Sequence, residues 1–186
     1  LNNRKVGQLA AEHLLSQGRR TFGFISGFWN VSTALDRFSG FRDRLEMEGA
    51  TLETDWTMHL ANAYGEAETL EESFSAVKDL VQDRGTLPEA FLCGSDKAAG
   101  ALVEYCADHG IRVPEDVAIV GCDTDEFVAS RIGRTVTSFA YPFDAFAEEL
   151  VRLYVEFSDL HDTSWRSVEL EPVFSQGDTT YPAGRD

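Results

Sequence analysis

Positive charge is scarce in this chain. Lysine and arginine together number 16 among 186 residues, against 32 acidic residues, and the formal net charge is −16. A surface with so many acidic groups repels the phosphate backbone of nucleic acids. We therefore expect that this segment does not bind DNA or RNA by itself, and that most of its acidity favours solubility.

Long apolar runs and paired cysteine motifs are also absent. No stretch approaches the roughly 18 apolar residues that a membrane-spanning helix needs. Cys93, Cys106 and Cys122 show no Cys-x-x-Cys spacing and lie among aliphatic residues, which indicates buried thiols in a reducing cytoplasm and no zinc site. The first residues, LNNRKVGQLA, contain neither an initiator methionine nor the apolar core of a signal peptide. We expect the chain to be a processed or excised piece of a longer protein.

The hydrophobic pattern alternates between the periods of strands and helices. Strands are predicted at 21–27, 56–61, 89–94, 117–122, 135–141 and 167–174, and helices at 6–15, 33–48, about 66–83, from 95 or 96 onward, and 143–157. Because the strands are nearly continuous aliphatic runs, this order predicts an α/β fold with a parallel sheet covered by helices on both faces.

Polar residues follow the predicted strands at the points where they end. Ser26 with residues 27–30, then Ser95 and Asp96, then Asp123 to Asp125, come after three successive apolar strands. Ligands of such sheets bind beyond the carboxyl ends of the strands. Carboxylates beside aromatic rings are typical of a site for a neutral, hydroxylated ligand.

Two other interpretations of Asp123 and Asp125 have to be weighed. A strand that ends in Asp-x-Asp can accept a phosphoryl group beside magnesium, but that chemistry needs a lysine further along the chain. All three lysines, Lys5, Lys78 and Lys97, precede Asp123, and the four histidines have no metal-ligand spacing. The pattern therefore argues against an enzyme and against a metal site. From spacing alone, a helix or turn cap and a ligand contact are equally good interpretations of Asp123.

The segment GIRVPEDVAIVGCD, residues 110–123, resembles a signature of the lactose/galactose repressor (LacI/GalR) family of bacterial transcription regulators. Further segments resemble that family in the same order along the chain: AAEHLLSQGRRTFGFISG, DRFSGFRDRLEMEG, PEAFLCGSDKAAGALVEYCADHGI, TVTSFAYPFDAFAEEL and LEPVFSQGDTT. The resemblance implies one lobe of a two-lobed, periplasmic-binding-protein-like (type I) fold. It assigns residues 1–138 and 167–180 to the second lobe, and the helix at 142–158 to a first lobe that is mostly absent. We expect the apolar stripe of that helix to be covered, either by folding onto its own lobe or, as we favour, by docking against another copy.

The resemblance also implies ligand-binding residues. Arg37 matches an arginine that binds ligand hydroxyls, Thr33 a small hydroxyl residue one turn earlier, and Asp123 the acid that accepts hydrogen bonds from the effector. Ser95 stands where the family often has asparagine, and Phe143 matches an aromatic wall of the cleft.

Alternatives remain open for several of these positions. Arg37 could instead form a surface pair with Asp36 or Glu48, and Phe143 could pack in the core. Asp125 and Glu126 are expected to be loop acids, with Asp125 a minor ligand candidate. Tyr64 is a guess for the family's aromatic contact in that region, and Gln176 replaces a frequent arginine.

The function that follows from the resemblance is effector binding in a cytoplasmic transcription regulator, with no enzymatic activity and no cofactor. The expected partners are a small effector, a sugar or alternatively a nucleobase, and a second copy in a homodimer. DNA would be bound only through a domain that is absent from this chain, and no membrane is involved. The alternative is a periplasmic sugar-binding protein for uptake or chemotaxis, against which the cysteines and the signature argue.

Overall fold

The computed structural model describes residues 1–26, 31–59, 70–160 and 167–182. Its strands are β1 (Thr21–Ser26), β2 (Thr51–His59), β3 (Ala90–Cys93), β4 (Ala118–Cys122), β5 (Thr137–Ala140) and β6 (Val173–Ser175). Its helices are α1 (Asn3–Ser16), α2 (Ser32–Met47), α3 (Leu70–Val81), α4 (Asp96–Asp108), α5 (Glu126–Ile132) and α6 (Phe143–Leu160). These strands form one sheet in the order β2-β1-β3-β4-β5-β6, in which only β6 runs antiparallel to its neighbour.

Helices cover the sheet on both faces. Phe22 and Phe24 of β1 point into a core shared with α1 and α2. Ile25 of the same strand points into the opposite core, which contains residues of α3, α4 and α5. Alternate residues of a strand face opposite sides, so a strand that is buried on both faces must be apolar throughout. The predicted α/β fold with a covered, mostly parallel sheet is confirmed.

Two glycines allow α1 and α2 to pack with their backbones in contact. A Cβ atom at Gly7 would overlap the carbonyl oxygen of Arg37, and one at Gly40 would overlap that of Arg4. Because neither glycine has a side chain, the two helices approach closely and bring the amino end of α1 beside Arg37.

Several element boundaries differ from the prediction. The strand β2 begins at Thr51 rather than at 56, because its first half lies at the exposed edge of the sheet and lacks an apolar pattern. The closing strand begins only at Val173, directly after Pro172, which cannot donate a hydrogen bond to a neighbouring strand. Residues 126–132, expected to be a loop, form the short helix α5. The start of the helix predicted at about 66 lies outside the described residues.

The helix α6 follows the predicted range but does not pack on the sheet. Its large apolar side chains have exposed fractions from 40% to 75%: Phe143, Phe146, Leu150, Val151, Tyr154, Val155 and Phe157. None of its described side chains, at 143–157, is buried. The expectation that this helix folds back onto its own lobe is therefore wrong, and its assignment to a first lobe stays a prediction.

The remaining bulk features agree with the sequence. All three cysteines are free and buried. Among the described residues, no helix is both long and apolar enough to cross a membrane.

Candidate functional site

The carboxyl ends of three parallel strands bring polar residues together at one edge of the sheet. Ser26 ends β1, Ser95 and Asp96 follow β3, and Asp123 follows β4. This is the edge at which the parallel-strand rule places a ligand. Residues 27–30, which were expected to contribute here, lie outside the described residues.

The side chain of Arg37 is buried beneath this edge of the sheet, and two hydrogen bonds hold it there. It is only 5% exposed. Its Nη1 donates a hydrogen bond to the carbonyl oxygen of Gly94 at 2.7 Å, and its Nε donates to Oδ1 of Asn3 at 3.0 Å. The alternative of a surface pair with Asp36 or Glu48 is wrong, because Arg37 is buried and Glu48 binds Arg44 at 2.6 Å.

Arg37 and Asp123 face each other across the site. The distance from Nη2 of Arg37 to Oδ1 of Asp123 is 4.0 Å, although the residues are far apart in the sequence. Burial raises the pKa of Asp123, and the positive charge of Arg37 opposes this effect only in part. At 4.0 Å the pair attracts without forming a close hydrogen bond, so a hydroxyl group placed beside the two atoms can bind both of them.

Tyr141 is a residue of this site that the sequence reasoning missed. Burial lowers the pKa of Arg37, but the nearby Cys122 and Asp123 and a hydrogen bond with Tyr141 outweigh it, and the net pKa is raised. Tyr141 directly follows β5, so the strand-end rule could have pointed to it as it did to Asp123. Its ring centroid lies 6.0 Å from that of Phe143, which is largely exposed. The core-packing alternative for Phe143 is therefore wrong.

The acidic residues in and after the turn that follows β4, Asp123, Asp125 and Glu126, have different structural roles. Asp125 is the cap of α5, and its Oδ1 accepts hydrogen bonds from the backbone N–H groups of Phe127 at 2.9 Å and Val128 at 3.3 Å. The cap interpretation thus holds for Asp125 and not for Asp123, and Glu126 is the first residue of the helix rather than a loop acid. Asp123 and the next residue have positive φ angles of 105° and 62°.

Asp96 is the most deeply buried acid at this edge, with an exposed fraction of 2%. Its Oδ1 accepts a hydrogen bond from the hydroxyl of Ser138 at 2.7 Å, and its Oδ2 accepts one from the backbone N–H of Asp125 at 2.8 Å. Burial raises its pKa to about 6, against the effect of these two hydrogen bonds. The sequence indicates Asp96 only as a strand-end residue or a helix cap, and its partners on β5 and after β4 could not be inferred from spacing.

The other predicted residues are placed as follows. Ser95 caps α4, since its hydroxyl oxygen accepts the N–H of Ala98 at 3.2 Å, and its contact with a ligand stays a prediction. Thr33 is half-buried in the first turn of α2, and its ligand contact also remains a prediction. The side-chain amide of Gln176 donates to the carbonyl oxygen of Thr180 at 3.1 Å in the tail. Tyr64 lies outside the described residues.

No group of three or more histidine, cysteine, aspartate or glutamate side chains that could hold a metal ion occurs in the part of the chain that the structure describes.

The chain is similar to known proteins over nearly its whole length. A family model described as a periplasmic binding protein-like domain matches residues 11–180. The transcriptional repressor PurR of Pasteurella multocida is 33% identical over 117 residues, which are 63% of this chain and 33% of that protein. The transcriptional regulator CelR of Thermobifida fusca is 31% identical over 156 residues, 84% of this chain and 44% of the relative.

A solved structure gives the same result for the fold. The complex of the transcriptional regulator CelR with cellobiose superimposes with a TM-score of 0.78 at 26% identity, covering 96% of this chain and 52% of the other. The chain thus spans from a third to about half of the length of these relatives. PurR and CelR both carry the names of transcription regulators and not of enzymes, which argues against phosphoryl transfer at Asp123.

Proposed function

The chain belongs to the periplasmic binding protein-like domain family, in the form found in LacI/GalR transcription regulators, and we propose that it senses a small sugar or sugar-like effector. The observation that carries this proposal is the Arg37–Asp123 pair, 4.0 Å apart at the carboxyl ends of the parallel strands. The similarity to CelR, whose solved structure is a complex with cellobiose, supports a sugar over a nucleobase.

The chemistry of the pair suits hydroxyl groups. A sugar hydroxyl both donates and accepts, so it can donate to the carboxylate of Asp123 and accept from the guanidinium of Arg37. Hydrogen bonds to charged groups are about twice as strong as those between neutral groups. The exposed rings of Tyr141 and Phe143 offer the flat apolar surface that a sugar ring can cover.

Regulation would require the rest of the longer protein. We propose that a separate domain binds DNA, that the regulator acts as a homodimer in the cytoplasm, and that effector binding shifts its equilibrium between two conformations. The net charge of −16 supports a separate DNA-binding domain, because this part of the protein would repel DNA.

A periplasmic sugar-binding protein for uptake is the second candidate, because the family model takes its description from such proteins. The free, buried cysteines and the regulator names of the relatives favour the first candidate. The gene sequence upstream of the codon for Leu1 separates the two. A helix-turn-helix supports the regulator, whereas a signal peptide supports the uptake protein.

The effector site is tested in the longer protein, with cellobiose as the first probe in a thermal-shift and calorimetric screen of sugars. We expect Arg37→Ala and Asp123→Ala each to weaken binding of the sugar about ten- to a hundred-fold, because each removes a charge-assisted hydrogen bond. Arg44→Ala is the matched control, since Arg44 lies on the same helix and binds Glu12 and Glu48 at the surface. Equal affinities in Arg37→Ala and in the control would contradict the assignment.

A further inference from the structure

The turn that carries Asp123 has a conformation that its sequence does not favour. Asp123 has a φ of 105° and Thr124 a φ of 62°. For a β-branched residue such as threonine a positive φ is an outlier, and non-glycine residues held in such regions persist only when their surroundings enforce them. Something beyond the turn must therefore hold it.

The contacts that hold the turn come from a buried pair of side chains. The hydroxyl oxygen of Ser138 accepts the N–H of Thr124 at 3.3 Å, and Oδ2 of Asp96 accepts the N–H of Asp125 at 2.8 Å. Ser138 in turn donates its own hydroxyl hydrogen to Oδ1 of Asp96 at 2.7 Å. The two side chains thus accept two successive N–H groups of the turn and are bound to each other.

A glycine in β4 leaves the space that the side chain of Asp96 occupies next to Ser138. A Cβ atom at Gly121, near the carboxyl end of β4, would overlap Oδ1 of Asp96. A glycine at this position is thus what lets the carboxylate lie beneath the turn, with Ser138 on the neighbouring strand β5.

We propose that Asp96, together with Ser138, is a positioning residue that holds the turn so that the carboxylate of Asp123 faces Arg37. Asp96 does not itself contact the effector. The role in effector binding rests on the proposed function, whereas the role in holding the turn does not.

The first test needs no ligand and uses the chain as it stands. Amide hydrogen exchange followed by NMR reports the opening of individual backbone N–H groups. We expect Asp96→Ala to speed exchange at Thr124 and Asp125 at least about tenfold more than at reference amides of β3. The N–H of Asp125 loses its charge-assisted acceptor, and Ser138, the acceptor for the N–H of Thr124, loses the carboxylate that orients its hydroxyl. The conservative variant Asp96→Asn keeps an acceptor for the N–H of Asp125 and should restore most of the protection.

A matched control separates positioning from general loss of stability. Val103→Ala removes buried apolar atoms about two turns further along α4, and it should destabilise the protein without selective exchange at the turn. Ser138→Ala should reproduce the effect of Asp96→Ala, and the double variant should add little to either. Exchange at Thr124 and Asp125 that is no faster in Asp96→Ala than in Val103→Ala would overturn the proposal.

The second test measures the consequence for binding in the longer protein with cellobiose as the probe. Asp96→Ala should weaken binding about tenfold or more, Asp96→Asn less, and Val103→Ala not at all. If no variant, including the wild type, binds any sugar, the proposed effector is wrong, and the exchange experiment still decides the role of Asp96. Selective loosening of the turn with unchanged sugar affinity would overturn the link between this turn and the effector.

Discussion

At the scale of single residues, the resemblance pointed to Arg37 and Asp123, and the structure places their charged groups 4.0 Å apart. Asp123 and Arg37 could be predicted because each lies in a motif that resembles a known family. The sequence indicated Asp96 as a strand-end residue but not its contacts with Ser138 and the turn, because these partners lie 14 to 42 residues apart and a serine in an apolar strand gives no local signal. The same holds for Tyr141, whose contact with Arg37 depends on the order of strands in the sheet.

The buried carboxylate of Asp96 predicts a dependence of stability on pH. Its pKa is raised to about 6 in the folded chain, above its usual value, so the folded state binds the proton more tightly than the unfolded state. The resulting stabilisation is fully present at low pH and is lost as the pH rises through about 6. Between pH 5 and pH 7 we expect the wild type to lose about 1 kcal/mol of unfolding free energy relative to Asp96→Asn.

Urea unfolding of both proteins across this pH range measures the difference. The titratable side chains that face Asp96 are Asp123 and Asp125 from the turn and the thiols of Cys93 and Cys122. They are unchanged in both proteins, so the comparison isolates the effect of the Asp96 side chain. A difference that does not change with pH would mean that Asp96 keeps its ordinary pKa.

At the scale of elements, hydrophobic periodicity located most helices and strands but not their contacts. The helix α5 was missed because its seven residues are too few for a periodic pattern. The close approach of α1 and α2 was also invisible, since a glycine within a helical pattern is normally only a weak point. In the structure, Gly7 and Gly40 are the positions at which the backbones of α1 and α2 touch.

The Gly40→Ala variant tests that contact. Alanine favours a helix by about 1 kcal/mol over glycine, so substitution at a free position would stabilise α2. Here the new methyl group would overlap the carbonyl oxygen of Arg4, and we expect a net loss of about 1–3 kcal/mol as the helices separate. Denaturant unfolding checks this, with Ser39→Ala on the same helix as the control. A stabilised Gly40→Ala protein would show that the helices can move apart freely.

At the scale of the whole molecule, the described chain combines a well-covered sheet with one uncovered helix. The sheet has apolar residues and helices on both faces, which its continuous aliphatic strands predicted. The helix α6 has a broad apolar stripe, and the sequence could not tell whether its own lobe would cover it. The answer depends on which part of the sheet is already occupied by α1 to α5.

The exposed stripe of α6 predicts self-association of this chain. Burying a large apolar side chain is worth roughly 1.5–3 kcal/mol, so two copies gain by pairing their α6 helices. Light scattering should show a mass above that of a monomer at high concentration, and the double variant Leu150→Glu, Tyr154→Glu should return it to a monomer that is still folded. The control is Met47→Glu, at a methionine of α2 that is 79% exposed. A strictly monomeric wild type would contradict the prediction.

The pairing of β5 with β6 makes the path of the chain around α6 unusual. Ala140 and Val173 are direct neighbours in the antiparallel register, so residues 141–172 form, in topological terms, the loop of a hairpin. The entropy lost on closing a loop grows only with the logarithm of its length. Closing this long connection between β5 and β6 therefore costs little more free energy than closing a shorter one. The last two strands can therefore pair while the apolar side chains of α6 remain exposed, as they are in this structure.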